Sequence, residues 1–333
     1  GLCSVSGCTC GKESKARKRL SVAAASAAWA QLASMSSVQL NALTDLTKLS
    51  TTQLSALKAD QLGKLSSTKL NSLTSAQIQS LSATQLAGLT SAQMSTLATS
   101  SLVALTTGQF ATLTAAQLNG AGSNIAKAET QDVASINAGV VAGLSTSTVQ
   151  TLTSDQAKAL TKAQISAMNS AQINALDTDL AKLETDRIAS INASALSGLS
   201  TGLLASLTTS QLQALTDAQV RNLSTDQVSS MSTEKLVALT TLQARSLTAD
   251  QINAIDSAKL AKMETADVAA INATALRALS TGQIGALTST QVQALNASQM
   301  GTLTSDQLNA ISATAFAKLS SAQVAAINNA SMA

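Results

Sequence analysis

Histidine, proline and tyrosine are absent from this 333-residue chain, and its aromatics number three: Trp29, Phe110 and Phe316. Without histidine the usual general base, proton shuttle and commonest metal ligand are missing. Ser/His/Asp and Cys/His nucleophilic sites, zinc-protease motifs and haem held by histidine are excluded with it. The chain is therefore expected not to be an enzyme, with no catalytic residue, no metal site and no cofactor. So few aromatics argue against the two or three ordinary globular domains that the length would suggest. No apolar run reaches the roughly 18 residues of a transmembrane segment, so none is expected. Charge is sparse as well, at 12% of residues. In the first 20 residues Lys12, Lys15, Arg17, Lys18 and Arg19 oppose only Glu13, and the rest of the chain carries 16 basic and 17 acidic residues. A body so nearly neutral has no basic stripe to follow phosphates, which argues against a nucleic-acid partner. Neither G-x-G-x-x-G nor a Walker pattern occurs, so the glycines form no phosphate loop.

What the chain does have is a period of eight. From Leu73 it reads LTSAQIQS, LSATQLAG, LTSAQMST. The unit L-[ST]-x-x-Q-[LIVM]-x-x can be placed as 39 consecutive octads from Ala27 onward, with two residues lost near Leu43 and one each near Leu113 and Leu176. Neither regular structure runs unbroken through this pattern. In a continuous helix the apolar positions 1 and 6 would advance about 80° per octad and wind around the axis. In a strand their spacings of five and three would alternate faces. Position 2 is Ser, Thr, Asp or Asn in 32 of the 39 octads and position 5 is Gln in 22. That is the S/T-x-x-Q capping box, with positions 1 and 6 as the hydrophobic staple. The expected fold is all-α: a solenoid of very short helices whose core is built by positions 1 and 6. Each Met and Phe falls on one of these positions, and the small residues at position 8 let neighbouring helices approach closely. Residues 1–26 read as a flexible, basic, Cys-containing arm, and 27–333 as the solenoid.

A longer period lies over the first. Octads ending in Lys48, Lys127, Lys182, Lys262 and Lys318 are separated by 10, 7, 10 and 7 octads. They are expected to mark places where the superhelix turns or meets a neighbour, unless they are the trace of tandem duplication.

The only reactive cluster is Cys3, Cys8 and Cys10 in the arm. An odd number of thiols favours an intermolecular bond. Lipidation is a second reading, because Gly1 and Cys3 precede a polybasic stretch, although Val5 stands where the myristoylation pattern wants Ser or Thr. A thiolate metal site, a third reading, would prefer four ligands. The stretch SVAAASAAWA follows basic residues as a signal peptide's core would, but is richer in Ala and Ser and poorer in Leu. The Asp residues of TSDQ, TADQ and TDAQ sit in the first turn after a cap, where negative charge suits the helix dipole.

LTSAQIQS, LTSDQLNA, LTADQINA and LTDAQVRN resemble the octads of large bacterial repetitive proteins described as haem-utilisation or adhesion proteins. The resemblance covers nearly everything after residue 26 and implies a surface-associated repeat protein. LTSDQAKAL is also similar to the opening of a transcription-activator-like effector repeat, but that family's 34-residue period and Gly-rich base-reading loop are absent. The expectation is a structural subunit of an extracellular filament or surface layer, a homopolymer that assembles through open solenoid ends and the arm. A cell-surface adhesin, with the solenoid as its ligand-binding module, is the alternative.

Overall fold

The structure, a computed structural model, describes residues 30–327. Regular structure among them is helical throughout: α-helices of four to seven residues, three short 3-10 helices and no strand. The octad encodes each start. Before the helix Ser75–Gln79, Thr74 is extended, its Oγ1 accepts the Gln77 N–H at 3.2 Å, and Gln77 Oε1 accepts the Thr74 N–H at 2.9 Å. The same reciprocal pair opens helices at Ser82, Thr216 and Thr304. Each stop lies at the next position 1, where the Leu81 N–H reaches back three residues to the Ile78 carbonyl before the chain enters the next cap. Tightened last turns of this kind satisfy carbonyls that a longer helix would occupy.

Helices this short do not persist alone in water, so packing must hold them. Each rests on the helix three octads later. Ala59–Gly63 packs on Ala83–Ala87, and Ser91–Ser95 on Ala115–Ala121. Further on, Asp217–Asn222 packs on Thr241–Ser246, and Thr265–Ala270 on Ser289–Ala294. One turn of the coil thus takes three octads. Positions 1 and 6 face its interior: Leu212, Leu215, Val220 and Leu223 are all buried, as are Met94, Phe110 and Met300. Small residues at position 8 permit the close stacking. A Cβ on Gly88 would fall 2.1 Å from the Ala59 carbonyl oxygen, and one on Gly120 would fall 2.4 Å from that of Ser91.

The chain divides into two compact units, one up to Leu144 and one from Ser145. Each is coiled in this way. Two of the three 3-10 helices, Leu46–Lys48 and Asp177–Lys182, lie in octads that have lost residues, and the third, Gly122–Lys127, follows the shortened octad that begins at Leu113. A 3-10 helix takes fewer residues per turn and rises further per residue than an α-helix, so it spans a shortened octad. The backbone enters two of them through positive φ, at Gly122 (53°) and Asp177 (48°). Lys48, Lys127 and Lys182 close these segments. The full-length octads ending in Lys262 and Lys318 instead carry α-helices, Ser257–Leu260 and Ala313–Phe316. All five lysines are exposed. Packing by threes runs through the segment at Lys182: Ser154–Ala159 packs on Asp177–Lys182, and that on Thr201–Ser206.

Candidate functional site

The glutamine of the capping box also joins one turn to another. Its Oε1 belongs to its own octad, while its Nε2 donates to carbonyls of the preceding turn. Gln85 Nε2 donates to the Leu54 and Leu57 carbonyls at 3.0 and 2.8 Å. Gln227 does so to Leu196 and Leu199 at 2.9 and 2.7 Å, and Gln251 to Val220 and Leu223 at 2.8 and 2.7 Å. The acceptors lie 31 and 28 residues back, at positions 6 and 1. These side chains are buried with their hydrogen bonds made, and among the described residues no buried side-chain nitrogen or oxygen lacks a partner. Burial of an amide is tolerable only on those terms.

Several octads without glutamine restore the bonds from other atoms. Lys69 and Lys235 point Nζ at the Leu43 and Leu207 carbonyls, Lys259 donates to Met231 at 2.8 Å, and Arg187 Nε donates to Leu160 at 2.9 Å. The cap N–H is met separately: Ser66, Ala98 and Ser200 donate to Oδ1 of Asn41, Asn71 and Asn174 on the turn before, at 2.8, 2.7 and 2.9 Å. Acidic replacements take a hydroxyl from the preceding turn instead. Thr107 donates to Asp132 at 2.8 Å and Thr241 to Asp267 at 2.9 Å. Burial pushes the Asp267 carboxyl above its ordinary value, the Thr241 hydrogen bond opposes this, and Glu264 adds to it. Burial acts the same way on Asp179, but hydrogen bonds from Lys182 and Ser154 win and hold it low. Lys182 Nζ spans Asp179 Oδ1 at 2.8 Å and Ser154 Oγ at 2.9 Å.

Two kinds of surface depart from the polar exterior. First, Phe316 and Val324 occupy position 6, buried in the octads before them, yet are 41% and 50% exposed. Towards the other end of the described chain, Gln39 and Gln53 accept their cap N–H groups at 2.8 and 2.9 Å, as in the octads that follow. Secondly, a cleft flanks the helix Thr241–Ser246. One groove of about 510 Å³ runs beside Asp217, Arg221, Leu242 and Arg245, and another of about 440 Å³ shares Leu242, Arg245 and Asn272 with it. Leu242 stands at position 4, is 66% exposed, and shares the first groove with Arg245 of its own helix and with Arg221 of the helix packed against it. Neither Arg221 nor Arg245 forms an ion pair among the described residues, where the pairs are Lys64 with Asp60, Lys158 with Asp155, Lys182 with Asp179, and both Lys162 and Arg187 with Asp186.

Cys3, Cys8 and Cys10 lie outside the described residues. Gln213, an exposed position 7, donates its Nε2 to the Ala238 carbonyl at 2.8 Å and so also serves the stacking. No helix among the described residues is long and apolar enough to cross a membrane. No curated protein matches the chain. Residues 260–297 match the family model described as the ALTTAQ repeat, and this match, with the octads and their packing by threes, makes the chain a repeat protein of α-solenoid architecture.

Proposed function

We propose that the chain is a structural, non-enzymatic subunit of an extracellular filament or surface layer, joined to further copies of itself through the faces of its coil. What supports this reading is the stacking of unlike faces, in which glutamine Nε2 atoms of one turn donate to carbonyls of the turn before. A turn's lower face offers amide nitrogens and its upper face offers carbonyls and apolar side chains, so a face left open on one copy is complementary to the opposite face of another. Head-to-tail joining of unlike faces yields open polymers. The arm thiols would reinforce the junction covalently, which requires the oxidising surroundings found outside the cell. Lipid anchoring of the arm is the lesser role for the same residues. The cleft at Leu242 favours the second reading, a ligand-binding coil within a cell-surface adhesin.

Light scattering against concentration, with electron microscopy of the purified chain, tests the first reading. Uniform polymers that disappear in Phe316→Asp support it. Monomers at every concentration, or polymers indifferent to that substitution, refute it. If Cys3, Cys8 and Cys10 cross-link subunits, replacing all three with Ser leaves the coil folded but makes polymers fall apart sooner in denaturant. Polymers whose electrophoretic mobility is unchanged by reduction would exclude the cross-link.

A further inference from the structure

We propose that the cleft around Leu242 binds the C-terminal end of a peptide whose last residue is aliphatic, its carboxylate held between Arg221 and Arg245 and its side chain laid on Leu242. Three observations converge. The two guanidinium groups stand in one groove on helices that pack directly against each other, without a carboxylate partner among the described residues. Guanidinium forks match the planar carboxylate, and two of them around one anion outcompete a water shell. Leu242 lines the same groove at a position that polar or small residues hold in most octads, and its 66% exposure leaves an apolar surface uncovered. A free carboxylate and an alkyl group within one residue of each other is the chemistry of a chain terminus.

The walls fit the remainder of such a ligand. Asp217 lines the same groove and can accept a peptide N–H or a basic side chain, while the Asn272 amide serves both grooves and is bound only loosely, at 3.2 and 3.5 Å, to the Leu247 and Arg245 carbonyls. Grooves of about 510 and 440 Å³ fall within the range that holds small ligands. An internal acidic residue is the poorer fit, since its carboxylate and an aliphatic side chain would come from different residues that alternate in direction along an extended peptide. The inference is independent of polymer formation, because its readout is the capture of a small peptide.

The test is titration of the full chain with acetyl-Ala-Ala-Leu bearing a free carboxylate, followed by calorimetry or by NMR of the peptide. Saturable binding is expected, weakened about ten- to a hundredfold when the terminus is amidated and by a similar factor in Arg221→Gln or Arg245→Gln. Acetyl-Ala-Ala-Ser, or Leu242→Ser, should lose about five- to tenfold. Arg277→Gln, a guanidinium outside the grooves that donates to the Thr302 carbonyl, should bind as the parent does. The cleft residues substituted are all exposed, and unchanged circular dichroism will confirm that the coil is intact. Absence of saturable binding, equal affinity for acid and amide, or indifference to both arginine substitutions overturns the proposal.

Discussion

Asn174 Oδ1 accepts the Ser200 N–H at 2.9 Å, the bond that a glutamine at residue 203 would accept within its own octad. Leu203 stands there and has no acceptor to offer. The Asn174 amide nitrogen also donates to the Gly198 carbonyl at 2.8 Å, so the asparagine both caps one helix and ties its turn to the next. Asn174→Ala should therefore destabilise the second unit by about 1 kcal/mol, the usual net value of exposed hydrogen bonds of this kind. Adding Leu203→Gln should recover part of that loss, because the new amide can cap Ser200 itself. Urea denaturation of the single and double variants checks this, and purely additive effects would show that the two residues do not share the cap.

Gln219 tests the bonds between turns. Its Nε2 donates to the Ile188 and Ile191 carbonyls at 3.1 and 2.7 Å in a buried site. Glutamate would keep the capping acceptor but set a charge against two carbonyl oxygens. Gln219→Glu should cost about 3 kcal/mol or more at neutral pH and less in acid. Burial raises the folded-state pKa of such a group, so its stability is greatest below the unfolded value and falls as pH rises through the folded one. A loss independent of pH would contradict this account.

Asp267 supplies a natural version of that experiment. Its carboxyl is held above the ordinary value by burial, so the folded state retains the proton to higher pH than the unfolded state. Its contribution to stability is full below the unfolded carboxylate range, near pH 4, and declines as pH rises above it. Asp267→Asn should abolish this part of the pH dependence while keeping an oxygen for the Thr241 hydroxyl. Thermal melts between pH 4 and 7 will show a shallower slope in the variant. An unchanged slope would assign the dependence to other groups.

Gly88 tests the closeness of the stack. A Cβ there would lie 2.1 Å from the Ala59 carbonyl oxygen, and backbone cannot step aside as a flexible side chain does. Gly88→Ala should destabilise the first unit by about 1–3 kcal/mol, as overpacking does. Gly202, whose Cβ would meet nothing within 4 Å, should accept alanine without loss in the same assay.

Most of the architecture was legible because it is written in a local code. Thr216, Gln219, Leu215 and Val220 declare a cap and a staple within six residues, and the structure has both. Turn size was not legible, since nothing in one octad specifies which later octad it will meet. The inter-turn role of Gln219 did leave a signal: position 5 never holds glutamate, although a carboxylate would complete the box equally well. A donor is what the amide adds there, whereas Asp132 and Asp267 at the same position meet the preceding turn by accepting a hydroxyl. The bond of Gln213 to Ala238 was not legible either, because it depends on the same unseen partner turn. The Leu242 cleft was invisible for a related reason. Arg221 and Arg245 are 24 residues apart in the chain and become neighbours only when three octads close one turn.

Amide clasps that reach back only 28 and 31 residues also determine how each unit should yield to tension. A pull along the coil loads one turn against its neighbour, and the loss of one set of clasps does not require those farther away to open. Each turn released frees three octads, about 80 Å of contour length at the reach of an extended chain. In an optical trap a unit should therefore lengthen in a staircase of small, nearly equal steps, and re-form turn by turn on relaxation. A single rupture of the whole unit would mean that its turns are coupled far beyond their nearest neighbours.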